Sequence, residues 1–452
     1  MPINKKQSFS IIAVLLVFLG WALAEQEFEF KTLMELKFDK EIEDVAFDSY
    51  EENGETKFYP KIVVLREVDP VASKGTLVNY ALEVRILNQK GKVIKKISNL
   101  RYFSRIYLSK NGKYFGIERV TSKDPLAVYN EREIVRADFT VYNDRGEIKW
   151  KIEGQLNYDT PFISSYDGSV FLTLSEEGLL GAYALDHFDK KGHRKSIIPI
   201  QDLTVEIYKN IGGVLFADDG TVAAVRIQEE GNEQVRQLIL ALLDYKGNIL
   251  WEYPINEKFF GETKVSPKGS YVFTDCYSWE ARAENLRNET LPKKTPIPLR
   301  MRSANVFILN KAGILWMKIP TRISTSAVSF SNNERFLHFC DFKHGDKNFS
   351  IKVDLYTKSE IFRKEVPQRF IWSGVSDKGW VAGISMFENA YELNLMDPDG
   401  NLVAQHYMKE IKTEPLDEIP AFSILGWSGD LPIFGLVQHK SKVLKIFSFV
   451  RR

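Results

Sequence analysis

One short phrase recurs along this chain: an apolar strand, a tight turn, and a second strand that carries a Trp. The three copies read LLDYKGNILWEYPI at 242–255, FILNKAGILWMKIP at 307–320 and TVYNDRGEIKWKI at 140–152. Each turn contains a glycine, because a tight hairpin places one residue at positive φ, where a side chain is strained. Three copies of one hairpin indicate a chain assembled from repeated antiparallel units.

Two kinds of turn alternate along the chain. Turns of the first kind occur at Asn53-Gly54, Asn111-Gly112, Asp167-Gly168, Asp219-Gly220, Lys268-Gly269, Asn332-Asn333, Lys378-Gly379 and Ser428-Gly429. Turns of the second kind occur at Gly91, Gly146, Gly192, Gly247, Gly313 and Gly400 and near Lys358. Their alternation, at a period of roughly 40 to 65 residues, predicts four short antiparallel strands in each unit, which is the pattern of a β-propeller.

The last unit supplies only three strands, whereas FEFKTLMELKF (Phe28 to Phe38) is a spare strand ahead of the first unit. Pairing the two would close the ring and cover a sheet edge that otherwise invites aggregation. The sequence therefore predicts an all-β chain, with a single β-propeller of eight four-stranded blades over residues 25–452. Seven blades is the alternative, if the weakly marked first or last unit has another structure.

The repeated phrase corresponds to the third and fourth strands of a blade, and the fourth strand lies at the outer edge. Charged side chains and prolines protect such an edge from pairing with other chains, here Lys92, Lys95, Lys96, Lys149, Lys151, Pro199, Pro254 and Pro320. We expect Trp150, Trp251 and Trp316 to pack between blades rather than to carry function.

These stretches resemble two groups of propeller repeats. The Trp-bearing hairpins resemble the PQQ-like repeats of quinoproteins and of the periplasmic propeller lipoprotein that assists outer-membrane assembly. The segments SPKGSYVFTD (266–275) and SKNGKYFGIE (109–118) resemble TolB-type and WD-type repeats. The resemblance spans nearly all of residues 25–452 at the level of single repeats. It implies the fold more strongly than a function, because such repeats host many unrelated functions.

The N-terminal residues predict a cleaved export signal over residues 1–24. Lys5 and Lys6 precede an apolar stretch of about 14 residues, and Ala22-Leu23-Ala24 is typical of a cleavage site before Glu25. An uncleaved membrane anchor is the alternative, although about 20 apolar residues are needed to span a bilayer. We expect a periplasmic or secreted mature protein without a transmembrane segment.

The charge of the chain is nearly balanced, with 61 Lys and Arg residues against 60 Asp and Glu residues. Such a balance gives no overall field that attracts polyanions, so we expect no nucleic-acid partner.

The two cysteines are predicted to be buried free thiols. Cys276 follows Gly269 by seven residues, and Cys340 follows Asn333 by seven, so both occupy the same position in the second strands of neighbouring blades. Packed sheets lie about 10 Å apart, whereas a disulfide needs Cα atoms within about 7 Å of each other.

Catalytic signatures are absent from the sequence: it has no haem, paired-cysteine, hydrolase, zinc-protease or phosphate-loop motif. The adjacent cysteine pair of quinoprotein dehydrogenases is absent too, which argues against bound PQQ despite the resemblance. We expect no cofactor.

Two patterns permit a metal site but have simpler explanations. In HFCDFKHGD (338–346), His338 and Cys340 share one strand face, where a soft metal could bind. A buried strand followed by a polar turn is the alternative, and we predict no metal. The Asp-rich segments DPDGN (397–401) and FADDGT (216–221) fit hairpin turns better than calcium loops.

The two ends of a propeller differ, and here one end carries the long loops. The longest, SWEARAENLRNETLPKKTPIPLRMRS (278–303), joins the second and third strands of the fifth blade, and another, 120–137, does so in the second blade. Loops of this length are often functional or disordered. The candidate partner-binding residues are Trp279, Arg282, Arg287, Lys293, Lys294, Arg300 and Arg302. A docking arm for an acidic protein is one interpretation, and a solvated surface loop is the other.

Three functional hypotheses follow. The first is an exported, non-enzymatic propeller that binds a protein partner through its long-loop end. The second is an enzyme with a site in the central channel, assembled from single residues of several blades and acting on a glycan or another anionic substrate. The third is a structural subunit of a larger envelope or extracellular assembly.

Overall fold

The structure is a computed structural model, and it describes residues 28–68, 80–101, 104–109, 112–120, 136–157, 162–164, 171–177, 182–188, 191–200, 222–229, 236–243, 249–257, 259–278, 304–322, 324–342, 347–387, 390–408, 421–437 and 442–451. Regular structure in these residues is antiparallel β-sheet throughout, as expected for an all-β chain. In this part of the chain there is no helix long and apolar enough to span a membrane. The predicted signal, residues 1–24, lies outside it.

The described strands form eight antiparallel sheets, numbered along the chain. Sheets 1 and 2 consist of β2 (Glu41–Glu52), β3 (Glu55–Val68), β4 (Tyr80–Leu87) and β5 (Val93–Arg101), then β6 (Ser104–Leu108), β7 (Tyr114–Val120), β8 (Arg136–Asn143) and β9 (Ile148–Asn157). Sheets 3 and 4 consist of β10 (Phe162–Ser164), β11 (Phe171–Glu177), β12 (Ala182–Phe188) and β13 (Arg194–Ile200), then β14 (Val222–Glu229), β15 (Arg236–Leu243) and β16 (Ile249–Ile255).

The second half of the chain repeats the same meander. Sheets 5 and 6 consist of β17 (Phe259–Val265), β18 (Tyr271–Tyr277), β19 (Ala304–Asn310) and β20 (Leu315–Pro320), then β21 (Ser324–Phe330), β22 (Phe336–Phe342), β23 (Asn348–Asp354) and β24 (Ser359–Val366). Sheets 7 and 8 consist of β25 (Phe370–Val375), β26 (Val381–Phe387), β27 (Ala390–Met396) and β28 (Leu402–Met408), then β29 (Ala421–Ser428), β30 (Leu431–Val437), β31 (Val443–Arg451) and β1 (Phe28–Lys37).

Sheet 8 combines the two ends of the described chain. β1 runs antiparallel to β31, from Phe28 opposite Arg451 to Lys37 opposite Val443. This pairing agrees with the expected partnership between Phe28 to Phe38 and the last unit. It gives β31 a neighbour on both sides, so that strand offers no open edge to another chain.

The hydrophobic core lies between consecutive sheets. Phe273 and Ile308 of sheet 5, for example, pack with Phe339 and Val353 of sheet 6. Similar apolar layers join sheets 1 and 2, sheets 4 and 5, sheets 6 and 7, sheets 7 and 8, and sheets 8 and 1. Meandering antiparallel sheets that pack face to face in chain order are the pattern of a β-propeller.

The Trp residues of the repeated hairpins pack between sheets, which confirms the prediction for them. Trp150 of β9 lies against Gly192 of sheet 3, and Trp251 of β16 lies against Gly313 of sheet 5. Trp316 of β20 donates its indole N–H to the Leu355 carbonyl oxygen of sheet 6, at 2.7 Å. In the recurring phrase, the Trp of each outer strand therefore packs against a turn of the next sheet.

One turn differs from the sequence expectation. In the turn between β21 and β22, the residue at positive φ is Glu334 (φ 61°) rather than Asn332 or Asn333. The buried Glu334 carboxylate accepts hydrogen bonds from the Ser266 hydroxyl at 2.5 Å and from the Lys268 backbone N–H at 2.6 Å. These contacts with sheet 5 stabilise a conformation that an acidic side chain alone disfavours.

Both cysteines are free and buried, as predicted. Cys276 pairs with Phe260 in β17, and Cys340 pairs with Ser326 in β21, in each case next to a bulge of the first strand. The two therefore occupy equivalent positions in neighbouring sheets.

Candidate functional site

The two ends of the sheets are built differently. The turn end carries the tight hairpin turns, such as 266–270 and 310–314. At the opposite end, the loop end, second strands continue into third strands. There Tyr277 of β18 faces Ala304 of β19, and Val120 of β7 faces Ala137 of β8. The two long insertions therefore leave and re-enter the propeller at paired strand ends, on the same side.

The predicted partner-binding residues Trp279, Arg282, Arg287, Lys293, Lys294, Arg300 and Arg302 all lie outside the described residues. The base of their insertion is described. The Thr321 backbone N–H donates to the Ala304 carbonyl oxygen at 2.9 Å, so the chain leaving sheet 5 passes beside the point where the insertion returns. Arg322 follows directly and belongs to a cluster on sheet 6.

This cluster, the Asp341 cluster, consists of Arg322, Asp341, Phe349 and Arg363. Its centre is the carboxylate of Asp341, near the end of β22, with a side chain 1% exposed. Arg322 donates its backbone N–H to Asp341 Oδ1 and its Nη2 to the Asp341 carbonyl oxygen, each at 3.0 Å. Arg363 of β24 places Nη1 3.4 Å from Asp341 Oδ2. One buried carboxylate thus positions two guanidinium groups from separate segments.

Two arginines near the loop end stack on aromatic rings: Arg322 does so within the Asp341 cluster, and Arg369 does so separately, on the residue after Asp341. The Arg322 guanidinium carbon lies 4.7 Å from the ring centre of Phe349, and that of Arg369 lies 4.1 Å from the ring centre of Phe342. A guanidinium stacked on an aromatic face keeps its plane and leaves its N–H groups at the edge available. The rings therefore fix the direction in which the two arginines present donors.

Arg369 differs from the other two arginines because no carboxylate of the described chain forms an ion pair with it. Its side chain is exposed, and yet the surrounding protein displaces enough water to lower its pKa. Burial also raises the pKa of Asp341, against the opposing pull of Arg322 and Arg363. An anion beside Arg369 would relieve the cost of holding this guanidinium partly desolvated.

The other sequence candidate, His338 with Cys340, forms an internal network. His338 is fully buried, its Nδ1 lies 2.7 Å from the Ser373 hydroxyl, and its Nε2 lies 2.8 Å from the Ser350 hydroxyl. Burial lowers the pKa of His338 to about 3 and raises that of Cys340 to about 12. Both ring nitrogens are thus engaged by serines that join sheets 6 and 7. Among the described residues, no group of three His, Cys, Asp or Glu side chains is placed to hold a metal ion.

The Asp-rich turn of 397–401 is explained by backbone geometry, as expected. Asp397 Oδ1 accepts hydrogen bonds from the backbone N–H groups of Asp399 and Asn401 at 2.9 and 2.8 Å. The second Asp-rich segment, 216–221, lies outside the described residues.

The first strands of sheets 5 to 8 touch one another in series and form an inner wall of β17, β21, β25 and β29. The charged residues of these four strands are Glu262 and Lys264. Lys264 Nζ donates to the Val328 carbonyl oxygen of the next first strand. Burial raises the pKa of Glu262 and lowers that of Lys264, so the wall is poorly hydrated at this point.

Sequence reasoning missed Arg322 and Arg363 of the Asp341 cluster, and Arg369 as well. Arg322 and Arg369 each stand one or two residues before a first strand, in the connection from one sheet to the next. An arginine at the same place in two neighbouring repeats is a signal that an alignment of the repeats against each other reveals.

Comparison with known proteins gives similarity in fold alone. No protein-family model matches the chain, and no curated protein matches it. The propeller domain of the Trilobed protease from Pyrococcus furiosus is 10% identical, with 76% of this chain and 97% of that chain covered and a TM-score of 0.42. The Dos1 propeller is 10% identical, with 93% and 95% covered and a TM-score of 0.44.

A third similar structure, of an uncharacterized protein from Listeria monocytogenes, is 11% identical, with 84% and 97% covered and a TM-score of 0.44. Because all three TM-scores are below 0.5, these similarities carry no argument about what the chain does. Its assignment as a β-propeller rests on its own sheets.

Proposed function

We propose that this chain is an exported, non-enzymatic β-propeller that binds a protein partner through its loop end. The observation that carries the proposal is that the candidate binding features lie on one side of the propeller. Both long insertions start and finish at paired strand ends on the same side, and the Asp341 cluster lies at the base of the longer one. Variable loops on a rigid scaffold are the usual position of binding residues.

Eight blades in one closed ring are part of this proposal. Support comes from the contacts between sheets 8 and 1, where Ile42 and Leu65 pack with Val437 and Leu444. Leu36 of β1 also lies against Gly91 in sheet 1, the same relationship that Trp251 has with Gly313. A closed ring holds the loop end rigid, which lowers the entropy lost when a partner binds.

Export is proposed from the basic and apolar residues before Ala24. Its test is the N-terminal residue of the mature protein, determined by mass spectrometry after expression in the native host. Cleavage predicts Glu25 as the first residue and recovery outside the cytoplasm. An intact Met1 in a cytoplasmic fraction contradicts export.

Cross-linking with mass spectrometry in the native cell fraction tests the docking function. We expect cross-links from Lys293 and Lys294 to one recurrent protein. Lys378 is the matched control, because it is exposed at the turn end, on the opposite side of the propeller. Cross-links to that protein from Lys378 at equal yield, or none from the insertion, would contradict docking through the loop end.

A shortened variant sharpens the test. Because Tyr277 and Ala304 face each other across the sheet, residues 279–302 can be replaced by a two-residue Asn-Gly turn. We expect this variant to unfold at nearly the wild-type temperature and to lose the partner. The same replacement of residues 122–135, between the paired Val120 and Ala137, shows whether the second insertion contributes.

A further inference from the structure

Exposed apolar side chains recur at one place in the sheets. Among the described residues, nine large apolar or aromatic side chains are exposed, and six of them lie in the turn between the third and fourth strands of a sheet or in the first three residues of the fourth strand. Single exposed apolar residues are ordinary on a protein surface, whereas recurrence at one position of a repeat indicates a shared role. The six, which are 38–61% exposed, are Ile94, Ile148, Leu250, Ile314, Tyr356 and Ile361.

In sheets 4 to 6 these side chains belong to one continuous surface. Trp251, which follows Leu250, donates its indole N–H to the Lys311 carbonyl oxygen in the turn of sheet 5, at 3.1 Å. Trp316 donates in the same way to the Leu355 carbonyl oxygen in the turn of sheet 6, at 2.7 Å. Each outer strand therefore begins beside the next sheet's turn. The resulting surface, the outer-turn patch, consists of Leu250, Lys311, Ile314, Tyr356, Lys358 and Ile361.

The outer-turn patch is basic. Lys311 and Lys358 are exposed, and no carboxylate of the described chain forms an ion pair with either. Glu360, the carboxylate nearest to Lys358 along the chain, lies 2.9 Å from Arg363 instead. The overall charge balance of the chain therefore does not hold locally. Carboxylates of the turn end lie outside the patch, in sheets 7 and 1: Asp397, Asp399, Glu51, Glu52 and Glu55.

The chain also enters the propeller at the turn end. The ring centre of Phe28 lies 6.3 Å from that of Trp380, which closes the first turn of sheet 7. That turn is joined to sheet 6 by a hydrogen bond from the Asn333 backbone N–H to Asp377 Oδ1, at 2.7 Å. Residues 25–27 separate Phe28 from the apolar stretch of the predicted signal, and they span at most about 14 Å. While that stretch is held in a membrane during export, the turn end therefore faces the membrane.

We propose that the outer-turn patch binds the surface of a membrane that carries anionic lipids. Lysines attract the headgroup phosphates, and exposed aliphatic side chains enter the headgroup region, as they do in interfacial segments of other proteins. A membrane is the occupant that both the basic charge and the position of Phe28 favour. The inference goes beyond the proposed docking function, because the loop end stays free to bind a protein while the turn end lies on the membrane.

Co-sedimentation of the mature chain with lipid vesicles tests the proposal. One set of vesicles consists of phosphatidylcholine alone, and the other of phosphatidylcholine with an equal amount of phosphatidylglycerol. The mature chain is used because the apolar stretch of the signal would itself enter lipid. We expect binding to the anionic vesicles that weakens as salt is raised, and much weaker binding to the neutral ones.

Substitutions locate the binding surface. Lys311→Gln should lower the partition coefficient into anionic vesicles about fivefold, the usual contribution of one lysine near an anionic surface. Ile314→Ser should lower it about tenfold, because less apolar area leaves water. Two controls should bind like the wild type: Lys347→Gln removes an exposed lysine of the loop end, and Leu33→Ser removes a side chain that is 48% exposed in the middle of β1. All four positions are exposed, so unfolding temperatures, measured first, should change little.

A fluorescent label gives a second readout. Both native cysteines are buried, so an environment-sensitive dye reacts selectively with Ile314→Cys or Leu33→Cys. We expect the dye at position 314 to report a less polar environment when anionic vesicles are added, and the dye at position 33 to report no change. Equal changes at the two positions would contradict binding through the outer-turn patch.

Three further results would overturn the proposal. One is a mature chain that binds neither kind of vesicle, or both kinds equally. The second is an equal loss of binding for Lys311→Gln and Lys347→Gln, which would mean attraction without a defined surface. The third is a wild type that is a dimer in solution and an Ile314→Ser variant that is a monomer, which would make the patch a contact between two copies of the chain.

Discussion

The indole of Trp251 in sheet 4 lies directly against Gly313 in sheet 5. At this contact between the two sheets there is no room for a side chain at position 313. A Cβ atom at Gly313 would stand 2.7 Å from Trp251 Cγ. The indole N–H also donates to the Lys311 carbonyl oxygen in the same turn, at 3.1 Å. The glycine is therefore needed twice, for a φ of 74° and for the close approach of the ring.

Replacing Gly313 by Ala tests this relationship. We expect a loss of about 2–4 kcal/mol, from left-handed strain of about 1–2 kcal/mol and from overpacking against Trp251. Gly429→Ala is the matched control, because Gly429 has φ 60° and open space around it. Urea unfolding measures both, and equal losses would mean that only backbone strain matters.

The sequence could predict this part of the fold because positive φ leaves few residue choices. The turn glycines Gly146 and Gly313 are at φ 74° in the structure, where the repeated phrase predicted them. The pairing of Phe28 to Phe38 with the last unit followed from counting strands. Both inferences use local rules that a single repeat displays.

The Asp341 cluster could not be found in this way. Its residues come from the connection before β21, the end of β22, the start of β23 and the middle of β24. Only the meeting of these segments at the loop end brings Arg322 and Arg363 to one carboxylate. Nothing in the spacing of these residues along the chain indicates that contact.

Substitutions at Glu334 give a second test. Two effects oppose each other there: the hydrogen bonds of its carboxylate stabilise the turn, and its positive φ strains the backbone. Glu334→Ala removes the acceptor for Ser266 and Lys268 but keeps the positive φ, so we expect a loss of about 2–4 kcal/mol. Glu334→Gly also relieves the backbone, and we expect it to lose about 1 kcal/mol less. Thermal or urea unfolding gives the order, and an Ala variant as stable as wild type would show that the carboxylate contributes nothing.

The carboxyl of Asp275 predicts a dependence of stability on pH. Asp275 is buried, accepts a hydrogen bond from the Thr325 backbone N–H at 3.0 Å, and has a pKa raised by burial to about 7. The charged groups that face it are Glu262, which raises its pKa further, and Lys264 beside Glu262.

Because the unfolded pKa is 3.8, the folded protein binds more protons between pH 4 and 7. Stability should therefore fall as pH rises through this window, by on the order of 4 kcal/mol from this group. Asp275→Asn keeps an acceptor for Thr325 and should lack this part of the slope. Urea unfolding at several pH values checks the difference between the two proteins, which parallel curves would contradict.

The ammonium of Lys352 predicts the opposite slope at higher pH. Its side chain is 1% exposed and lies between the rings of Phe336 and Phe362, at 5.4 and 5.0 Å. Nζ donates to the carbonyl oxygens of Gly379, at 2.8 Å, and of Pro398, so it joins sheet 6 to both turns of sheet 7. Burial nevertheless lowers its pKa to about 8.

Between pH 8 and the unfolded value of 10.5, the unfolded chain binds the extra proton. This group should therefore add stability as pH rises through that window, by on the order of 3 kcal/mol. Lys352→Met keeps the apolar contact with both rings and removes the titration, so wild type should gain on it from pH 8 to 10.5. Lys364→Met, which removes an exposed lysine of β24, is the control for lost charge. If Lys352→Met and Lys364→Met differ from wild type by the same free energy of unfolding at every pH, the rise in stability does not come from the desolvated ammonium of Lys352. Its hydrogen bonds to the two carbonyl oxygens would then compensate fully for its burial.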